Sequence, residues 1–384
     1  MLAKAHAQAY EAHRAMIEAI SRDKYARATG VIQWMFNAPW PSFVFNVLDH
    51  FLQPTAAYYG LKKALETLHC QYSYDDASIW CINSAYTAAQ GAGLTVYACD
   101  ISGAPLCNVS HALDTLPADS SSLVLELPAS CRPQHVPVIV TLRLDWPGRA
   151  ATFNTYWLAP AAGVDRGTAS MDVVDWGECN WFRCNVSHFA DLSALAALRP
   201  VALDVELTPQ AHGAGSSGHG SGAEAQSIVS VSNPSTATVA FLVRLSLVDP
   251  DGTEVAPAWF DDNYFTLHPS ERRSVVVRYD AQRTGAAVVA DVFNNRLAPT
   301  ESPRTDGPTS SPTVAPTESP GTDGPTSSPS QHEGSSQTLL VAAVVGTVGT
   351  GCIGLAIAYA RTRLRLSRAR RAQVGDEPAY VNVR

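Results

Sequence analysis

The sequence predicts a mainly β chain: the last α/β unit of an incomplete (β/α)8 barrel, two Ig-like β-sandwiches, a disordered stalk and one transmembrane helix. Three observations carry this expectation. A helical period over Leu2–Ile20 leads into an almost wholly apolar run, Val31–Phe36, between Gly30 and Pro39, the profile of a strand buried on both faces. From Ser78 to Leu158, and again from Val201 to Val292, the period changes to two, as in strands with one face inward. A Pro/Ser/Thr repeat then gives way to about 22 uncharged apolar residues and a run of arginines, the mark of a stalk and a membrane span.

In order, Leu2, Ala5, Ala9, Ala12, Met16 and Ala19 recur at three- and four-residue steps, one apolar face of a helix. Glu11 and Glu18, seven apart, share a helix face and read as solvated surface rather than a catalytic pair. A helix feeding a buried strand is half of an α/β unit, and one unit cannot close a sheet. Residues 1–66 therefore read as the end of a barrel whose other strands lie elsewhere. Ala57–Ala64, rich in aromatics, reads as its last helix, and Gln71–Asp76 as a strand-to-turn exit.

The first sandwich is expected over 67–160, with Leu123, Leu125 and Leu127 alternating with Val124 and Glu126, and Val138, Val140, Leu142 and Leu144 with Thr141, Arg143 and Asp145. A connector over 161–200 carries Trp176, Trp181 and Phe182. A second sandwich is expected over 201–296, with a hairpin turn at Asp249-Pro250-Asp251-Gly252, where proline presets one turn dihedral and glycine supplies a positive φ. His212 and His219 stand in a glycine-rich loop that would hold no metal in place.

Residues 297–337 form the stalk, 338–360 the membrane helix and 361–384 an Arg-rich tail. That charge puts the C-terminus in the cytoplasm and residues 1–337 outside. Gly346, Thr350 and Gly354 form a small-residue stripe, and the tail ends in Tyr380-Val-Asn-Val383. Asn108 and Asn185 head Asn-X-Ser sequons on the outer side. Met1–Ile20 has no secretory pattern, so the true N-terminal portion is expected upstream of this chain.

Composition narrows the function. The 384 residues are 46% hydrophobic, enough for packed cores, and the net charge of −8 argues against nucleic acid as a partner. The eight cysteines show no metal spacing. Cys99 with Cys107, or Cys179 with Cys184, would close small loops in an oxidising compartment, and connectivity stays open. Two aromatic rings, Trp34 and Trp40, and an amide, Asn37, sit at or just past the C-terminal end of the apolar run, where a barrel places its binding groups.

The same residues carry a resemblance. Thr29–Ser42 resembles the last barrel strand of glycoside hydrolase family 2, in the exo-β-D-glucosaminidase and β-mannosidase-like subgroup. Ala57–Ala64, His69–Asp76, Asn154–Leu158, Asp175–Gly177 with Phe189–Ser193, and Asp262–Glu271 match in order, so the likeness covers roughly residues 5–295. It implies a barrel flanked by sandwiches, with retaining hydrolysis by two glutamates. Both glutamates would lie on strands upstream of Met1, so no catalytic residue is expected here. Trp34 matches the tryptophan that floors the sugar site, with Asn37 and Trp40 beside it, while Ala38 and Pro39 stand where relatives carry polar residues. No cofactor or metal is implied. The expected partners are a carbohydrate substrate, the membrane through a single helix, and the N-terminal part of the same enzyme. Two functions follow: the C-terminal portion of a membrane-anchored glycosidase, inactive alone, or a non-catalytic type I surface protein whose sandwiches bind glycans or proteins.

Overall fold

The computed structural model describes residues 2–26, 28–41, 46–160, 173–175, 185–210, 224–283 and 285–296. The expected stalk, membrane helix and tail lie outside them, as do Trp176, Trp181, Phe182 and the His212/His219 loop. Among the described residues no helix is long and apolar enough to cross a membrane.

Two helices precede the strands. α1 (Leu2–Arg22) is alanine-rich and free of Gly and Pro. α2 (Ala56–Ala64) is the expected aromatic helix. They cross tightly because Gly60 has no side chain: a Cβ there would lie 2.2 Å from the Tyr10 carbonyl oxygen. The expected helix is present but seated on a different face. Of the six apolar positions read from the sequence only Ala12 is buried. Arg14, Glu18 and Arg22 bond to the first sandwich and the turn beside it, Ile17 packs on Val47, Leu61 and Ala64, and Tyr10 joins Tyr59 and Trp157. Leu2 and Ala5 stay exposed.

The first sandwich is built from β1 (Leu68–Tyr72), β2 (Ser78–Asn83), β3 (Ala89–Asp100), β4 (Pro105–Leu116), β5 (Ser120–Glu126), β6 (Val138–Asp145) and β7 (Thr152–Leu158). One sheet runs β1-β2-β5, the other β4-β3-β6-β7, all antiparallel. As the alternation predicts, Val138, Val140, Leu142 and Leu144 fill its core, with Leu94, Val96 and Ile79. In β5 a register shift opposite Ile79 and Trp80 interrupts the alternation. Leu123 turns outward, 59% exposed, and Val124 packs on the core with Leu125. Such a bulge re-aims every side chain beyond it.

Disulfides join Cys70 to Cys81 across β1 and β2, and Cys107 to Cys131. The Cys99–Cys107 loop is not formed. Cys99 is a free, buried thiol, because β3 and β4 hold Ala98, not Cys99, opposite Cys107. Cys179 and Cys184 lie outside the described residues.

A short ladder, β8 (Val173–Asp175) with β9 (Asn185–His188), follows. The second sandwich packs β10 (Asp204–Pro209), β11 (Glu224–Ser232), β12 (Ala240–Val248), β13 (Trp259–Phe260), β14 (Phe265–Leu267), β15 (Arg272–Asp280) and β16 (Ala287–Asp291). Its sheets run β10-β11-β15-β13 and β14-β12-β16. The expected turn is present: Gly252 has φ +84°, its N–H donates to the Asp249 carbonyl at 2.8 Å, and the Asp249 N–H donates to Thr253. Ile139, Cys99 and Trp157 point away from the first core into one cluster with Phe241, Val243, Tyr10 and Tyr59. β6 is thus covered on both faces, which is why its buried residues run without alternation from Val138 to Leu142.

Candidate functional site

The expected buried strand Val31–Phe36 is not a strand. A strand exists through ladder bonds to neighbours, and among the described residues no parallel strand lies beside it. The segment pairs once, in a bridge of Asn37 with Leu48, and the Phe36 carbonyl accepts from the N–H groups of Val47 (3.0 Å) and Leu48 (2.8 Å). The Trp34–Met35 peptide is cis. The run is therefore largely exposed: Ile32 91%, Trp34 75% and Trp40 66%, with Phe36 and Asn37 exposed beside them.

The scaffold under these rings is ordered. Thr55 Oγ1 donates to the Val47 carbonyl at 2.8 Å. Asp49 Oδ1 accepts from the N–H groups of Phe51 and Gln53, and Gln53 Oε1 accepts from the N–H of Ala258 at 2.9 Å. That last bond ties the segment to the second sandwich. Trp34, Asn37 and Trp40 thus sit on one short stretch, two indoles flanking an amide, all open to solvent. Exposed indole faces suit the C–H side of a pyranose, and an amide can both donate to and accept from hydroxyls.

Glu11 and Glu18 are not solvated surface. Glu18 is buried, and its Oε1 accepts from Asn154 Nδ2 at 2.6 Å and from the Tyr156 hydroxyl at 2.8 Å. Arg14, fully buried, donates to Asn154 Oδ1 at 2.7 Å, to the Thr155 carbonyl and to Glu11 Oε2. Its guanidinium lies 4.0 Å from the Tyr156 ring centre, and Tyr74 donates to Glu11 Oε1. Burial pushes the Glu18 carboxyl up to about 7, against the pull of Arg14 and of its two donors. Neither glutamate faces a cleft as a hydrolytic pair must; both key α1 into the first sandwich. Sequence reading gave Arg14 no role and named Asn154 and Tyr156 only within the Asn154–Leu158 match, without a part in holding α1. Their signal was Arg14 and Glu18, one turn apart on the side of Tyr10 and Ile17.

A second polar joint binds the two sandwiches. His268 Nε2 pairs with Thr141 Oγ1 at 2.8 Å, and its Nδ1 lies 3.5 Å from Cys99 Sγ. Burial pushes the His268 imidazole down to about 4 and the Cys99 thiol up to about 12. Asn108 is exposed on β4, at the edge of its sheet. The Asn185 side chain lies outside the described residues. Among the described residues no three His, Cys, Asp or Glu side chains converge as a metal site.

Comparison with known proteins identifies this architecture. A family model described as the exo-β-D-glucosaminidase Ig-fold domain matches residues 181–295. The chain is 30% identical over 279 residues to an exo-β-D-glucosaminidase of Arthroderma benhamiae, covering 72% of this chain and 29% of that protein. It is 31% identical over 282 residues to one from Streptomyces avermitilis, again covering 72% and 29%. The crystal structure of the Amycolatopsis orientalis exo-chitosanase superposes with a TM-score of 0.66 at 27% identity, covering 74% of this chain and 33% of that one. The class is thus a pair of packed β-sandwich modules with the fold of the exo-chitosanase's matching portion. The chain belongs to the exo-β-D-glucosaminidase and β-mannosidase-like group of glycoside hydrolase family 2, and spans under a third of the length of these curated relatives.

Proposed function

We propose that this chain is the C-terminal portion of a membrane-anchored retaining glycoside hydrolase acting on β-linked glucosamine or mannose, and that it is inactive alone because both catalytic glutamates belong to the remaining portion. One observation carries the reading: the segment after α1 leaves Ile32, Trp34 and Phe36 bare, and Leu2 and Ala5 on α1 are bare as well. Large apolar side chains bared along one short segment mark a missing neighbour, and the barrel of the same enzyme is the neighbour the family supplies. In the assembled enzyme Trp34 floors the sugar site, with Asn37 and Trp40 at its wall. The apolar residues at 338–360 anchor the protein, with residues 1–337 outside the cell or in a lumen. The two disulfides among the described residues support an oxidising compartment, as do the sequons at Asn108 and Asn185.

The test uses the full chain. Nitrophenyl β-D-glucosaminide should yield no product, and turnover by the chain alone overturns the assignment of catalysis to the remaining portion. Tryptophan emission titrated with glucosamine and with mannose should shift for the native chain and less for Trp34→Ala. No shift with either sugar overturns the role given to Trp34.

A further inference from the structure

At the far end of α1 a second pair of exposed aromatic rings is fixed on a rigid base. Tyr86 is 90% exposed and Tyr25 64%. Tyr25 holds φ +61°, a conformation that costs a non-glycine residue energy and that collects at functional positions. Its hydroxyl donates to Asp119 Oδ2 at 2.7 Å, and Lys24 Nζ donates to Asp119 Oδ1 at 2.9 Å and to Ser84 Oγ at 3.3 Å. The Asp119 N–H donates to the Ala85 carbonyl at 2.8 Å. Asp119 therefore joins Tyr25, through its side chain, to the loop that carries Tyr86, through its backbone.

That loop cannot drift. Asn83, buried beneath it, donates from Nδ2 to the carbonyls of Thr87 (2.9 Å), Leu116 (3.2 Å) and Pro117 (2.9 Å), and its Oδ1 accepts from the Ala85 N–H at 3.0 Å. A large ring left bare at the tip of so constrained a loop loses little freedom on binding, the property of a preorganised anchor. Beside the Tyr25 ring lie a carboxylate and an ammonium, paired with each other and each partly open to solvent.

We infer that Tyr86, Tyr25, Asp119 and Lys24 form a saccharide-binding platform separate from the Trp34 segment, which stacks one amino-sugar unit of an oligosaccharide and sets its ammonium against Asp119. The inference rests on the proposed carbohydrate role. Tyrosine offers the apolar ring face that pyranose C–H groups pack on. Asp119 already pairs with Lys24 at 2.9 Å and accepts from the Tyr25 hydroxyl, so an added ammonium shares the carboxylate and the preference for an amino sugar over a neutral one is modest. The platform would hold a polymer near the enzyme without taking part in hydrolysis.

The test is binding of a glucosamine hexamer and of cellohexaose to the full chain, by calorimetry at low salt. The native chain should bind the glucosamine hexamer more tightly. Tyr86→Ala, at a position with almost no contacts to lose, should weaken it roughly fivefold. Asp119→Asn, whose melting temperature is checked first, should abolish the preference over cellohexaose. Unchanged affinity in Tyr86→Ala, or no binding at all, overturns the platform. Binding that survives Tyr86→Ala but falls in Trp34→Ala overturns the platform alone and leaves the glycosidase reading standing.

Discussion

The Tyr156 hydroxyl donates to Glu18 Oε1 at 2.8 Å while accepting from Asn154 Nδ2 at 2.7 Å and from the Tyr72 N–H at 3.1 Å. One phenol on β7 thus fixes a helix residue far away in sequence. Tyr156→Phe strips an acceptor from two buried donors and a donor from a buried carboxyl. A loss of about 1–3 kcal/mol is expected, read as a lower urea midpoint with an unchanged slope.

Glu18 also sets a pH dependence. Its carboxyl is raised to about 7 when folded, against about 4.3 in an unfolded chain. The native state therefore holds the proton more tightly, and this contribution is present below about pH 4.3 and lost as pH rises toward about 7. His268 and His69, both pushed down to about 4 by burial, act oppositely: their contribution is present above about 6.5 and lost as pH falls toward about 4. Comparing native chain with Glu18→Gln isolates the first effect. The difference between their stabilities should change by about 1–3 kcal/mol between pH 5 and pH 7.5; parallel profiles would remove Glu18 from the account.

Thr141→Val should loosen the joint between the sandwiches. It leaves His268 Nε2 buried without its partner, at a cost of about 1–3 kcal/mol. Hydrogen exchange at β6 and β14 should accelerate more than at β1 and β2.

Gly60→Ala is a steric test. Its Cβ would meet the Tyr10 carbonyl oxygen at 2.2 Å, so α1 and α2 must separate. Overpacking of this kind costs about 1–3 kcal/mol or more. Protection of α1 amides should fall while the second sandwich holds.

Cys99 should resist alkylation in the native chain, since burial raises its thiol to about 12 and only a thiolate reacts readily. Peptide mapping should find it labelled after unfolding alone. Replacing Cys107 and Cys131 together by alanine should cost about 2–4 kcal/mol.

Much of this was legible in the sequence, for reasons that also mark where reading stopped. Period two announced both sandwiches because each sheet has one wet face, and it was lost at β6, where Ile139 enters the second core. The bulge at Val124 leaves no mark in an alternating string. In α1 the helical period was plain but the seated face was not: counting apolar positions cannot see that Arg14 and Glu18 are buried because Asn154 and Tyr156 wait for them. Val31–Phe36 has the composition of a buried strand, yet burial needs neighbours, and the chain alone leaves Trp34 in solvent. The indole-amide-indole order of the candidate site was legible. The platform at Tyr86 was not, since its ring is placed by Asn83 and Asp119 from separate turns.

Because Cys99, Ile139 and Trp157 belong to the first sandwich by sequence but pack into the cluster of the second, the two modules should melt as one cooperative unit. Excising either to make a smaller reagent would unmask a greasy flank on the other. Domain-swap engineering with this scaffold should therefore move both modules and the helical pair as a single cassette.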